Sequence, residues 1–428
     1  MQSLVSSSSM RMTVPASRQQ GSVFQAPLDD RTTPDEVRTG FASIVMPCLN
    51  EADTVATCVT KAVTALREAG IDGEVIVADN GSTDGSQDLA RAAGARVVPV
   101  RARGYGAALM GCIAAAKGEF IVMGDADDSY DFYEAPKFIE KLREGYDLVQ
   151  GCRLPWGGGT VKPGAMPFLH RWWGNPMFSL LCRWWFRAPI HDVYCGMRGF
   201  TREWVDGLDQ RCTGMEFATE MVIKSARLNA KMAEVPITLH KDGRRAHPPH
   251  LKTFRDGWRT LRFFLMCSPK WLFLEPGKLL VLLGLIGYAL ALPGLSIHGV
   301  KFELNTLMLS SLALLVGWQA ILFAISAKTF AIREGLMPPD SRVRRFNTAF
   351  SVERGAILGA VSLLGGLAMV LAAVVMWAKA HFGNLNVDFS GRLVITGSML
   401  TAIGFQTVLA SFFLGVLRIP RRDAHTAD

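Results

Sequence analysis

Ser43-Ile44-Val45-Met46-Pro47-Cys48-Leu49-Asn50-Glu51 decides the reading of the first half of the chain. Its first four residues make a short run of the length and composition of a buried strand. The run stops at Pro47 and gives way to a polar, acidic end. Val55, Val59, Ala62, Val63 and Leu66 then recur at helical spacing, and Gly70 closes that helix. The same alternation continues outward. Glu74 to Ala78 reads as a strand, 84–93 as a helix, 96–100 as a strand, 105–116 as a helix and Phe120-Ile121-Val122-Met123 as another strand. Glu134 to Glu144 is amphipathic, and Asp147 to Gly151 is the last strand. Alternating β and α elements of this length predict an α/β domain with a mostly parallel, doubly wound sheet.

Open sheets of this kind bind ligands beyond the carboxyl ends of their strands. Here those ends are acidic: Asn50-Glu51 after the first strand, Asp79-Asn80-Gly81-Ser82-Thr83-Asp84-Gly85 after the second, and Asp125-Ala126-Asp127-Asp128-Ser129 after the fourth. One aspartate after a strand is ordinarily a turn former or a helix cap. Three acidic clusters at strand ends of one sheet point instead to a site. Asp125 and Asp127 are two residues apart, which in an extended loop aims both carboxylates the same way. Hard oxygen ligands suit Mg2+ or Mn2+, bound through one or two carboxylates together with ligand phosphates. The phosphate-loop pattern G-x-x-x-x-G-K-[ST], a dinucleotide G-x-G-x-x-G after a strand, H-E-x-x-H and G-x-S-x-G do not occur.

The composition predicts membrane segments. The chain has 428 residues, 49% of them hydrophobic and only 20% charged, against about 25% charged in ordinary soluble domains. This excludes a disordered protein, a collagen-like fibre and a disulfide miniprotein. The formal net charge of +8 suits nucleic acid, anionic lipid or a phosphorylated ligand. Eight cysteines stand at scattered positions with no C-x-x-C, so neutral thiols in a reducing compartment are expected.

The strand-end motifs resemble the inverting family-2 glycosyltransferases of the GT-A fold. Later segments narrow the resemblance: Gly151-Cys152-Arg153, Asp192-Val193-Tyr194-Cys195-Gly196-Met197-Arg198, Gly214-Met215-Glu216-Phe217-Ala218-Thr219-Glu220-Met221, Ala233-Glu234-Val235-Pro236-Ile237 and Phe254-Arg255-Asp256-Gly257-Trp258-Arg259. This ordered set, over roughly 41–268, is similar to dolichol-phosphate-mannose and dolichol-phosphate-glucose synthases. The resemblance implies a hexosyltransferase acting on a nucleotide sugar (UDP- or GDP-hexose, glucose slightly favoured over mannose) and a polyprenyl phosphate, with Mg2+ or Mn2+. It implies that Pro47, Glu51, Asp79, Asp125 and Ala126 hold the nucleotide; separately, Arg101 and Arg103, just before the Gly104-Tyr105-Gly106 turn, are candidates to touch its diphosphate. Asp127 is the implied metal ligand, with Ser129 where relatives place a second, often amide-bearing, metal-site residue. Asp125, Asp127 and Arg153 form the implied catalytic set. Arg153, Arg244 and Arg245 are the implied phosphate binders. Pro249-His250-Leu251 departs from the Ser-Lys-Leu common in relatives at that point.

Elsewhere the reading is local. Asp192 and Arg198 are a candidate structural ion pair. Glu216 and Glu220, one helical turn apart, face either solvent or the interior. Gly157-Gly158-Gly159 reads as a mobile loop rather than a phosphate cradle.

Residues 1 to about 38 are rich in Ser, Thr, Gln and Pro, with no apolar run after the early basic residues. A disordered tail is expected there rather than a secretory signal. The transferase domain is expected over 39–252. Two stretches, 168–187 and 253–274, set Trp, Phe and Leu beside Arg and Lys, as interfacial helices do. A linking segment of amphipathic interfacial helices is therefore expected over 253–275, with a four-helix membrane domain over 276–418. Its apolar segments, at about 278–297, 305–327, 356–378 and 393–417, each approach the ~20 residues that cross a bilayer. The loop between the second and third carries Lys328, Arg333, Arg342, Arg344, Arg345 and Arg354; the first loop carries Lys301 alone. The positive-inside rule then puts the transferase domain and the tail of 419–428 in the cytoplasm, on the inner face of the cell membrane. Expected partners are the nucleotide sugar, the lipid phosphate, the membrane and a second copy of the chain, but not nucleic acid.

Three competing readings are weaker. A processive polysaccharide synthase would carry Gln-x-x-Arg-Trp after the acidic helix, whereas His170-Arg171-Trp172 lacks the glutamine and precedes Glu216. A non-enzymatic nucleotide-sugar sensor has no need of an intact Asp125-Ala126-Asp127. A transporter would show ionisable residues in mid-membrane, and the spans hold few.

Overall fold

The structure is a computed structural model and describes residues 38–244, 253–334 and 337–419. Its chain falls into two compact units that divide between Leu261 and Arg262.

The first unit opens with β1 (Arg38–Cys48), α1 (Val55–Glu68), β2 (Gly73–Asp79), α2 (Ser86–Ala92), β3 (Arg96–Pro99), α3 (Tyr105–Ala115), β4 (Gly118–Met123), α4 (Ala135–Arg143) and β5 (Leu148–Cys152). There follow β6 (Thr160–Val161), α5 (Asn175–Phe186), β7 (Arg198–Thr201), α6 (Arg202–Gly207), α7 (Glu216–Arg227), β8 (Met232–Pro236) and β9 (Thr238–Leu239). Seven strands form one sheet in the order β3-β2-β1-β4-β7-β5-β8. All run parallel except β7, which lies antiparallel between β4 and β5. This is the mostly parallel, GT-A-like sheet that the sequence leads one to expect. β1 is buried from Ala42 through Met46 on both faces, as a central parallel strand must be. It pairs with β2 on one side and β4 on the other, so the loops after β1 and β4 diverge and open a crevice at the carboxyl edge.

Two strands of the sheet were not expected. β7 has four residues, Arg198-Gly199-Phe200-Thr201, too few to show a period. A methyl group at Gly199 would press on α4, 3.1 Å from Phe138 Cβ and 3.2 Å from Leu142 Cδ1. β8 has both charged and apolar residues along Met232-Ala233-Glu234-Val235-Pro236, because it is an edge strand. The stretch Gly157-Gly158-Gly159 is an ordered turn rather than a mobile loop. Its three amides donate to the carbonyls of Leu154, Pro155 and Leu154 in turn, so none is left to cradle a phosphate.

The second unit takes the end of α8 (Thr253–Met266), which crosses the division. One π-helical turn over Lys270–Leu274 leads into α9 (Glu275–Ala291). A hairpin of β10 (Ser296–Ile297) and β11 (Val300–Lys301) connects to α10 (Leu304–Arg333), α11 (Ser341–Ala349), α12 (Val352–Lys379) and α13 (Val387–Arg418). Four apolar helices, Lys270–Ala291, Leu304–Arg333, Val352–Lys379 and Val387–Arg418, are long enough to span a bilayer. The first starts and ends earlier than its hydropathy alone implies: residues 296–297 sit in the hairpin rather than in the helix. Leu279, Leu282, Leu283 and Ile286 of α9 are exposed, the pattern of side chains meant for lipid.

α9 packs on α10 and α12 on α13, each pair along a seam of small residues. A methyl at Gly277 would lie 2.9 Å from Gly317 O, and one at Gly284 3.0 Å from Ser310 O. In the second pair a methyl at Gly359 would lie 2.8 Å from Gly404 O, and one at Gly366 2.5 Å from Gly397 O. Arginines close the helix ends: Arg392 donates to the carbonyls of Ala291 and Leu292, and Arg333 to those of Val416 and Leu417. Asp340 caps α11, accepting from Arg342 N at 2.7 Å, and pairs with Lys328.

Candidate active site

The loops at the carboxyl edge of the sheet are laced to one another. Asn50 holds a left-handed conformation (φ 59°), which an asparagine adopts readily. Its amide donates to Ser82 Oγ at 2.9 Å while its side-chain oxygen accepts from Thr83 N at 2.9 Å. Glu51 N donates to Ser86 Oγ and Ala52 N to Asp84 Oδ2, both at 2.9 Å. Asp79 accepts from the amides of Gly81 and Ser82 at 3.1 and 3.0 Å and from Gln87 Nε2 at 2.7 Å. Most polar residues of the Asp79–Ser86 cluster thus fix the loops, and their spacing serves that purpose. Asn80 ties in the third loop, donating to the carbonyls of Val100 and Ala102 and accepting from Gly104 N.

The loop after β4 lies on the other side of the crevice. Thr54 Oγ1 donates to Ala126 O at 2.6 Å and joins the two sides. Asp125 is half-buried, and Tyr105 donates its hydroxyl to Asp125 Oδ1 at 2.8 Å. Burial first, then the neighbouring Asp127, pushes the Asp125 carboxyl up to about 6. Asp127 Oδ1 accepts from both the amide and the hydroxyl of Ser129, at 3.0 and 2.6 Å. Its other oxygen, Oδ2, faces Arg244.

Arg244 is the centre of the arrangement. The segment after β9 returns along the Asp127 loop, with His240 N donating to Ser129 O and Gly243 N to Asp127 O, each at 2.9 Å. That pairing places the Arg244 guanidinium between the two acidic loops. Nε meets Glu51 Oε2 at 2.8 Å, Nη2 meets Asp127 Oδ2 at 3.2 Å and Nη1 meets Asp242 Oδ2 at 3.4 Å. The Arg244, Glu51 and Asp127 side chains are only 13%, 7% and 14% exposed, so these charges face each other largely out of water. Arg245 lies outside the described residues. Arg103 stands exposed on the third loop, and Pro47 is half-buried at the mouth of β1.

Arg153 follows β5. Asp192 takes its Nε and Nη2 at 2.7 and 2.9 Å and also its amide at 3.1 Å. Asp192 therefore pairs with Arg153 and not with Arg198. The Arg198 guanidinium donates to Ala218 O at 2.6 Å and Cys195 O at 2.7 Å instead, because it is fully buried under those loops. Glu234 supports the pair from behind: it accepts from the amides of His191 and Asp192 and meets His191 Nδ1 at 2.6 Å. Glu216 and Glu220 both turn to the protein. Glu216 pairs with Arg259 of α8 at 2.9 Å; Glu220 accepts from Arg211 N and Cys212 N and pairs with Lys224 at 2.7 Å. Tyr105 carries no sequence signal that distinguishes a site residue from a core residue; Glu234 lies in the Ala233–Ile237 segment that supports the family resemblance, but its role behind Asp192 is visible only in the fold.

The donor set suits a hard divalent cation: two carboxylates on one loop, one oxygen of Asp127 already facing a cation. Among the described residues no cluster of three or more His, Cys, Asp or Glu side chains is arranged as a closed metal site. Protein ligation would therefore be sparse, which is how Mg2+ binds when phosphates complete its shell.

A GT-A sheet with acidic loops at its carboxyl edge, followed by four membrane-length helices, defines a multi-pass membrane glycosyltransferase. The chain belongs to glycosyltransferase family 2: the family's transferase model matches residues 43–208, and its C-terminal transmembrane region matches 325–418. It is 36% identical over 377 residues to the low-salt glycan biosynthesis hexosyltransferase Agl6 of Haloferax volcanii, covering 88% of each chain. It is 32% identical to a dolichyl-phosphate hexose transferase of the same organism, over 50% of this chain and 88% of that one. The crystal structure of glucosyl-3-phosphoglycerate synthase from Mycobacterium tuberculosis with Mn2+ and uridine diphosphate is similar at 23% identity and a TM-score of 0.41, over 53% of this chain and 78% of that one.

Proposed function

We propose that the enzyme moves a hexose from a nucleoside-diphosphate sugar to the phosphate of a polyprenyl phosphate, with inversion, at the cytoplasmic face of the membrane. The observation that carries this reading is the meeting of Glu51, Asp127 and Arg244 in one crevice, with Asp125 beside them. Carboxylates that hold a cation, beside an arginine that can turn to an anion, suit two reactants that both bear phosphate.

In this reading Pro47, Glu51, Asp79 and Ala126 bound the nucleoside, and Asp125, steadied by Tyr105, faces its ribose. Asp127, with Ser129 holding its other oxygen, is the metal ligand. Neutralisation of the departing diphosphate is the chemistry that Mg2+ or Mn2+ supplies at such a carboxylate. Arg103 approaches the same diphosphate from the third loop. Arg153, oriented by Asp192, and Arg244 and Arg245 hold the acceptor phosphate. The attacking oxygen of a phosphate monoester is already anionic near neutral pH, its second pKa being about 6, so no general base is required. The site's work is to orient two anions and offset their repulsion. The Dol-P hexose transferase named among the relatives and the membrane helices support the lipid acceptor.

The deciding assay uses the purified full chain in detergent, Mg2+ or Mn2+, polyprenyl phosphate and a panel of radiolabelled UDP- and GDP-hexoses. Labelled sugar should appear in the organic phase as a lipid-linked monophosphate. Transfer to a growing polysaccharide, or hydrolysis alone, would overturn the reading.

A further inference from the structure

Helix α5 and the π-helical turn His170–Gly174 before it present two unlike faces. Phe178, Cys182 and Phe186, spaced by four, are buried against the domain. Trp173, Met177, Leu180 and Trp184, spaced by four, three and four, form the opposite stripe and are 69%, 47%, 64% and 61% exposed. A water-facing helix would place polar residues there. At the edge of this stripe lies a cleft of about 250 Å³ lined by Trp156, Pro176, Ser179, Leu180, Arg183 and His191. It is separate from the acidic crevice, none of whose residues line it.

Its chemistry is that of an anion attached to apolar matter. Arg183 is exposed, and its guanidinium makes no hydrogen bond or ion pair among the described residues. His191 is held through Nδ1 by Glu234 at 2.6 Å, which fixes the ring and leaves Nε2 as its other hydrogen-bonding nitrogen. Ser179 Oγ accepts from Val193 N at 3.1 Å, so its own proton can be given elsewhere. Trp156, Pro176 and Leu180 supply the apolar walls, and Trp172 packs on Trp156 with ring centroids 6.4 Å apart, continuing the aromatic surface outward.

We propose that this cleft binds the phosphate of an anionic glycerophospholipid, with the Trp173–Trp184 stripe seated among the acyl chains. The transferase unit then has its own grip on the bilayer, independent of the four spans. A membrane-anchored chain always has this ligand at hand. Aromatic residues favour the head-group level, and a long arginine reaches the phosphate from an apolar stem.

The test is the thermal stability of the full chain in a neutral detergent, titrated with phosphatidylglycerol or phosphatidylcholine, with no sugar donor or polyprenyl phosphate present. Wild type should gain melting temperature with phosphatidylglycerol at concentrations where phosphatidylcholine gives little. Arg183→Gln should need about fivefold more phosphatidylglycerol for the same gain, the effect of one charge at an anionic surface. Leu180→Glu should weaken the response to both lipids. An identical phosphatidylglycerol response in Arg183→Gln and wild type would overturn the proposal. So would an Arg183→Gln variant that keeps this response but loses the stabilisation given by polyprenyl phosphate, since the cleft would then belong to the acceptor.

Discussion

Replacing Arg244 tests whether the acidic crevice is built around a cation. In Arg244→Gln, Glu51 and Asp127 remain buried with no guanidinium between them. Breaking a buried pair by removing one partner costs about 3–5 kcal/mol, because the remaining charge is left uncompensated. For a unit of this size each kcal/mol lowers Tm by about 2–4 °C, so a fall of roughly 10 °C is expected in EDTA. A divalent cation can take over the vacated carboxylates. At one hundred times its dissociation constant it restores about 2.7 kcal/mol. Mn2+ should therefore raise Tm more in Arg244→Gln than in wild type, where the guanidinium competes for the same oxygens. Arg244→Lys keeps the charge but cannot reach Glu51, Asp127 and Asp242 together, since only a planar fork spans the three contacts at 2.8, 3.2 and 3.4 Å. Its turnover should fall tenfold or more, about 1.4 kcal/mol. The measurements are thermal unfolding of the detergent-solubilised chain with EDTA and with Mn2+, and initial rates of lipid-linked sugar formation. Wild-type Tm in EDTA for Arg244→Gln, with wild-type rates for Arg244→Lys, would refute the reasoning.

Other outcomes follow from the same geometry. Asp127→Asn should abolish turnover while lowering Tm less than Arg244→Gln does, since the amide oxygen still accepts from Ser129 and Arg244 keeps Glu51 and Asp242; chelator should abolish turnover of wild type, and full activity in EDTA would exclude the metal role. Glu234→Gln should lower turnover about tenfold by loosening the His191-Asp192 support of Arg153, with donor KM unchanged, as read from steady-state kinetics. A reporter fused at Asp428 should be cytoplasmic and a tag at Ser296–Lys301 external; an external C-terminus would require an odd number of spans. The hydrogen bond from Lys328 holds the Asp340 carboxyl below its usual range, so its contribution is present above that range and is lost as pH falls through the lowered value. Asp340→Asn, which keeps the cap on Arg342 N, should cost under about 1 kcal/mol at neutral pH and remove that acid sensitivity of Tm.

The sheet was legible because its central strands are continuous apolar runs and its helices keep a clean period, as at Val55, Val59, Ala62 and Leu66. The acidic loops were legible as clusters, since polar residues stop those runs abruptly. Partners were not. Glu51 and Arg244 are 193 positions apart, and only the return of the chain along the Asp127 loop joins them. Arg198 looks like the partner of Asp192 because it is close in sequence. Folding buries it under carbonyls and gives Asp192 to Arg153, 39 positions earlier. β7 escaped for a different reason: four residues span only two periods of alternation, too few to stand out, and α4 packs over Gly199.

The glycine seams of the membrane unit bear on how the protein is made. Gly277 and Gly284, Gly359 and Gly366, and Gly397 and Gly404 repeat at seven residues, so each antiparallel pair carries its own complete interlock. The first pair can close as soon as α10 has left the ribosome, before α12 exists. Translation then releases two finished hairpins in succession rather than four helices in search of partners. A single residue inserted in the middle of α12 would rotate half its glycines about 100° out of line and unlatch that hairpin. The α9–α10 hairpin, already closed, would still enter the bilayer.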